Sequence, residues 1–229
     1  MRMSVKPRPR PRAYRPRPNR PEQILAAASR AIQQRGFANT RIADIAREAR
    51  VSTGTVHYYF EVRDEVLVGA LRWASERLFA RRDELAARAE TEQERLAQLL
   101  ELSVPVPGPR RGGYVLWIEL WVRALQEPSM LPECEALSGR WRECFFDTVR
   151  RGTAAGEFAP VAAPDTVADR LIAIVDGLAF ELLQGYSWTS PDRMRERMHD
   201  FAAEQLGTPR PALERHARAA AAAIAREDA

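Results

Sequence analysis

The chain is poor in several things whose scarcity narrows its chemistry. Of its 35 basic residues only one, Lys6, is lysine, and there are two cysteines and three histidines in 229 residues. Cys134 and Cys144 are ten residues apart on one expected helix, about 15 Å by its rise, which exceeds disulfide reach. They read as reduced thiols, and the expected compartment is the cytoplasm. His57, His199 and His216 fall on separate elements with no cysteine or carboxylate at metal-ligand spacing. No Ser-His-Asp order, glycine-rich phosphate loop or paired-carboxylate motif is present, so the chain reads as a non-enzyme with no metal and no cofactor. No apolar run reaches the roughly 18 residues a membrane helix needs, and no secretory h-region follows the first residues. Strict apolar–polar alternation never persists, which argues against strands.

What remains is helical periodicity, and the fold class expected is all-α. Pro21 suits a first helical turn, Ile24, Leu25, Ala28 and Ile32 form one stripe, and Gly36 ends that helix. Thr40 stands where an N-cap belongs. Ile42, Ile45, Ala46 and Ala49 then share one face of a short helix. Ser52 or Thr53 caps the next helix, whose inner side is Val56 and Phe60 and whose outward residues include Thr55, His57 and Tyr58. Two short helices joined by a tight turn, the second opening on small polar side chains, suit entry into the major groove.

At Gly36-Phe37, Thr40, Ile45-Ala46, Val51-Ser52-Thr53-Gly54-Thr55-Val56, Phe60 and Arg63 the chain resembles the TetR family of bacterial repressors. The resemblance implies a three-helix DNA-binding head, a helical effector-binding body and a homodimer acting on a double-stranded operator. Its DNA contacts would map to Thr40, Arg41, Arg50, Ser52, Thr53, Gly54, Thr55, His57, Tyr58 and Arg63. Two positions depart from the family pattern. Arg50 stands at a turn position usually held by glycine, where φ > 0 costs a side chain roughly 1 kcal/mol; the turn is expected to tolerate Arg50 with slight strain, or Arg50 adds a phosphate contact. His57 replaces the usual tyrosine and would make its phosphate contact pH-dependent.

Charge is distributed accordingly. Residues 1–64 carry 14 Arg plus Lys against 5 Asp plus Glu, net +9, whereas residues 65–229 carry 21 against 26, net −5. Residues 1–20 hold no acid and a proline at nearly every second position of their central stretch, which expects an extended mobile arm. Such an arm enters a minor groove or rides on phosphates, or is a leader without a contact. Both readings stand.

The domains expected are the arm (1–20), a helix-turn-helix head (21–66), a helical ligand-binding and dimerisation body (67–207) and a flexible or frayed helical tail (208–229). Body helices are expected near 63–88, 91–103, 112–127, 130–155, 164–187 and 191–206, broken at Pro105–Pro109, Pro128, Gly156 and Pro191. Apolar bands at Val167, Leu171, Ile174, Val175, Leu178, Ala179 and Leu182, with Gly177, and at Trp141, Phe145, Phe146 and Val149 are candidates for the dimer seam. Trp117 to Leu206 resembles the BetI-type subgroup of C-terminal domains, through Trp117, Trp121, Arg123-Ala124-Leu125, Trp141-Arg142, Gly156-Glu157-Phe158 and Asp176-Gly177-Leu178. Tyr114, Trp117 and Trp121 share a helix face. With Trp73, Phe145, Asp176 and Phe180 they are candidates to line an effector pocket, and Glu119, Arg123 and Glu181 are further polar candidates. The function expected is a ligand-responsive repressor. The alternatives are a ligand-binding protein or enzyme with a vestigial helix-turn-helix, and a non-specific DNA binder using the Arg-rich arm.

Overall fold

A computed structural model describes residues 19–228. The arm expected over 1–20 therefore lies outside the described residues except for Asn19 and Arg20. Ten α-helices follow in order: α1 Arg20–Arg35, α2 Ile42–Ala49, α3 Thr53–Tyr59, α4 Arg63–Ala86, α5 Glu92–Leu102, α6 Pro109–Gln126, α7 Leu131–Ala154, α8 Pro164–Gln184, α9 Pro191–Leu206 and α10 Arg210–Asp228. A 3₁₀ turn at Pro128–Met130 links α6 to α7, and no strand occurs among the described residues.

The helix ends follow from local chemistry. Pro21 opens α1, and Gly36, at φ 77° and ψ 160°, leads the chain out of it. Thr91 caps α5 by accepting from Glu94 N at 3.1 Å, and Ser190 caps α9 by accepting from Arg193 N at 3.1 Å. These bonds satisfy N–H groups that a helix start otherwise leaves without acceptors.

Thr40 does not cap α2. Its side chain is buried and donates from Oγ1 to Gly36 O at 2.8 Å. The cap residue is Arg41, whose N–H donates to Asp44 Oδ2 at 3.1 Å. A hydroxyl at Thr40 closes the preceding turn because the chain from Gly36 folds back under it.

Two cores organise the molecule. The first joins Ile24, Ile32, Ile45, Val56 and Leu67 of α1 to α4 with Leu116 and Leu120 of α6 and Leu137 of α7. The second joins Leu96, Leu100, Phe145, Val149, Leu171, Val175, Met198 and Leu206. Each such buried side chain contributes about 1.5–3 kcal/mol. Trp141 packs against both cores and against a small third one containing Leu85, Leu102 and Ile224.

Two expectations are corrected here. The tail is not frayed: α10 runs to Asp228 and buries Leu213, Ala217, Ala220 and Ile224. Alanine-rich sequence hid this because four apolar residues at helical spacing carry the packing. Much of the supposed dimer band is internal: Val167, Leu171, Val175, Ala179, Phe145 and Val149 are buried within the protomer.

Candidate nucleic-acid interface

The turn between α2 and α3 is set by one residue. Arg50 takes φ 56° and ψ 46°, and it is the only non-glycine residue at positive φ among those described. Val51 N donates to Ala46 O at 2.9 Å and Arg50 N to Arg47 O at 3.2 Å, the paired bonds of a Schellman stop. The chain then turns into Ser52, whose Oγ accepts from Thr55 N at 3.0 Å and lies 2.9 Å from Thr55 Oγ1. Ser52 is thus the cap, and Thr53 is the first helical residue.

Val56 is fully buried under α3, and the opposite face is open. Thr53, Gly54, His57, Tyr58 and Tyr59 are exposed, Tyr58 at 81%. A Cβ on Gly54 would meet nothing nearer than Ser52 Oγ at 3.7 Å. The protein itself therefore imposes no need for glycine there. Arg20, Arg50, Val51, Ser52, Gly54, Thr55, Tyr58 and Tyr59 line an open concavity of about 590 Å³. The sequence pattern does not single out Arg20 or Tyr59. Tyr59 is legible only as the neighbour of Tyr58, against whose ring it packs edge-on with centroids 4.9 Å apart.

Basic side chains frame this face. Arg41 and Arg50 are exposed at the two ends of α2. The backbone bond from Arg41, with the nearby Arg35 and Arg47, holds the Asp44 carboxyl below the usual carboxylate range. Arg63 is placed differently from the sequence expectation of a DNA-backbone contact. Its guanidinium donates to Thr40 O at 2.7 Å, to Ala38 O at 3.1 Å and to Phe37 O, and bonds Asp64 Oδ1 at 3.0 Å. It clamps the 37–40 turn to the start of α4. Thr40, buried beneath that clamp, presents no hydroxyl to a partner.

The head is joined to α6. Glu119 Oε2 accepts from Phe37 N at 3.0 Å. Arg123 bonds Asp64 and, at 2.9 Å, Glu127, with its guanidinium 4.6 Å from the Phe37 ring centroid. Glu119 and Arg123 thus face the head, not a body cavity. At the start of α6, Gly112 faces the amide end of the Gln33 side chain of α1.

The seven aromatic and acidic candidates for an effector pocket do not form one chamber. Trp73 lies in an outer groove of about 460 Å³ beside Glu22, Ala26 and Arg30, under the Arg77 guanidinium at 5.0 Å. Phe180 is 46% exposed on α8. Trp117 and Trp121, with ring centroids 6.4 Å apart, pack on the first core, while Tyr114 and Phe145 belong to the second. One helix face spans both cores because α6 bridges them. Tyr114 and Asp176 lie close enough to influence one another electrostatically. Burial pushes the Tyr114 phenol well above its usual range, the Asp176 carboxylate adds to this, and Ser103 bonds the phenol. Burial also pushes Asp176 up to about 6, with Arg142 opposing it. Glu181 lies 3.8 Å from Arg197.

Comparison with known proteins agrees with this geometry. Residues 24–70 match the family model for bacterial regulatory proteins of the tetR family, and residues 92–207 match that for the BetI-type transcriptional repressor C-terminal region. The HTH-type transcriptional regulator PksA of Bacillus subtilis is 27% identical over 180 residues, covering 77% of this chain and 84% of that protein. BetI 1 of Chromohalobacter salexigens is 25% identical over 201 residues, 82% and 91% of the two chains. A Saccharomonospora viridis protein described as a transcriptional regulator and solved in complex with choline superposes with a TM-score of 0.77 at 32% identity, covering 81% of this chain and 96% of that one. With a formed helix-turn-helix head and a helical body matched over both parts, the chain belongs to the TetR family of bacterial transcriptional regulators, with a BetI-type C-terminal region.

Proposed function

We propose that the protein is a homodimeric repressor that reads a palindromic operator and leaves it when a small molecule binds the body. The observation that carries this reading is the open face of α3. Gly54 leaves room for close approach of a DNA backbone, and Thr53, His57 and Tyr58 are exposed on the outer face of α3. Ser52, Thr55, Arg41 and Arg50 would hold phosphates, and the exposed α3 side chains would meet base edges. Arg63 and Thr40 would support that surface from beneath.

The outer face of α8 supports a dimer. Ala173, Gly177 and Phe180 are exposed at i, i+4 and i+7, and a Cβ on Gly177 would meet nothing within 4 Å. Small residues beside an outward aromatic suit close packing against a two-fold mate. Two heads then read two half-sites about one helical turn or more apart.

The effector site favoured is the one around Asp176 and Tyr114. A partly buried carboxylate near Tyr114 suits an organic cation, and the choline complex of the similar Saccharomonospora viridis protein supports that class. Binding there would reach the head through α6, by way of Glu119–Phe37 and Arg123–Asp64, and shift the population away from the operator-matched geometry. Selection from random double-stranded DNA at near-physiological salt tests the reading. A two-half-site palindrome is expected; uniform binding that fades with salt overturns it. The effector step fails if choline or a related cation binds and leaves operator affinity unchanged.

A further inference from the structure

A side chain of α1 reaches the turn that sets the direction of α3. Gln23 Nε2 donates to Ala49 O at 2.9 Å, and Gln23 Oε1 accepts from Arg20 Nη1 at 2.9 Å. An amide both donates and accepts, so one residue serves a carbonyl and a guanidinium together. Ala49 ends α2, and its carbonyl is among those a helix end leaves without an intrahelical donor. The same carbonyl belongs to the peptide that leads into Arg50, held at φ 56° and ψ 46°. Left-handed backbone costs arginine what it does not cost glycine. That cost is relieved if the Ala49–Arg50 peptide turns over, which takes φ of Arg50 negative and carries Ala49 O away from Gln23. The bond from Gln23 opposes this rotation from a separate helix. Gln23 lines the outer groove beside Trp73, not the concavity beside α3, so it acts on the turn from behind.

We propose that Gln23 is a positioning residue for operator reading: its bond to Ala49 O holds the Arg50 turn, and through it α3, in the geometry that meets base edges. The inference rests on the operator-binding reading above. A head whose turn has relaxed still binds duplex through charge, but it no longer selects a sequence. Loss of one hydrogen bond shifts such a balance by about two- to twelvefold, and a dimer carries two heads. Glycine at position 50 takes the same turn without strain, and there Gln23 becomes dispensable.

The test measures preference, the ratio of Kd for random duplex to Kd for the selected operator, by anisotropy titration at one salt concentration. Two variants of the full-length chain stand beside the unaltered protein. Gln23→Ala removes both bonds; Gln23→Glu keeps an acceptor for Arg20 and loses the donor to Ala49 O. Preference is expected to fall by about three- to tenfold in both. Each variant is then combined with Arg50→Ala, which keeps the strained backbone, and with Arg50→Gly, which relieves it. The loss should persist on the first background and shrink to about twofold or less on the second. A Gln23→Glu protein with full preference overturns the inference. So does an equal loss on both backgrounds, which is what a general loosening of the head would give, and so does a lowered Tm with preference unchanged. Absence of operator preference in the unaltered protein is a different result, and defeats the repressor reading itself.

Discussion

Replacing Arg50 should move stability and DNA binding in opposite directions. Its φ of 56° and ψ of 46° put an arginine in the left-handed region, at a cost of roughly 1–2 kcal/mol for a side chain. Glycine removes that cost but returns about 0.5–1 kcal/mol through its freer unfolded chain. Arg50→Gly should therefore stabilise the protein by about 0.5–1 kcal/mol, which for a chain of this size raises Tm by roughly 1–4 °C. If the exposed guanidinium holds a phosphate, removing it lowers the salt slope by about 0.9 per protomer, near 2 per dimer. Arg50→Ala separates the two effects, since it keeps the strained backbone and removes the charge. Melting curves and operator titrations over a potassium chloride series measure both. A fall in Tm for Arg50→Gly, or an unaltered salt slope for Arg50→Ala, would refute the reasoning.

Other perturbations give equally definite outcomes. Gly54→Ala adds a methyl with no clash inside the protein and improves helix propensity by up to about 1 kcal/mol; Tm should hold or rise while operator affinity drops more than tenfold in anisotropy titrations. Glu119→Ala removes the acceptor of Phe37 N–H, costing about 1–3 kcal/mol, and the ratio of operator Kd with and without effector should fall toward one. Phe180→Arg should leave melting intact and yield monomers in sedimentation, because its ring is exposed on the protomer surface. Asp176 titrates near 6 in the folded protein, against 3.8 for an ordinary aspartate. A raised carboxyl pKa gives stability that is full below the unfolded pKa and falls away as pH rises through the folded one. Asp176→Asn should abolish that decline between about pH 4 and 6 and leave the variant more stable at about pH 7.5, by no more than about 3 kcal/mol; chemical melts across pH read this directly.

The helices were legible where punctuation was strong. Pro164, Ser190-Pro191 and Gly36 mark the ends of α8, α9 and α1 by removing a donor, supplying a cap or allowing φ > 0. The open face of α3 was legible because Val56 alone turns inward. What escaped the sequence depends on long-range contacts. Thr40 has the chemistry of a cap, and only the fold shows its hydroxyl committed to Gly36 O. Arg63 resembles a DNA ligand until three carbonyls from the 37–40 turn surround it. Trp73 and Phe180 share the aromatic character of Tyr114, yet periodicity cannot say which neighbour a helix face meets. The helix α6 begins at Pro109, ahead of the glycine pair that suggested a start at 112, because proline suits a first helical turn and Gly108 takes the cap position before it.

The clasp between Arg81 and the end of the chain gives the molecule a remote gauge. Arg81 of α4 donates to Ile224 O of α10 at 2.9 Å. The same α4 begins at the clamp that holds the reading head, so a tilt of α4 pulls on the far end of α10. Deuterium uptake by α10 amides should therefore change when operator DNA or effector is added. A label on that helix would report the state of the head without disturbing any surface that recognises DNA.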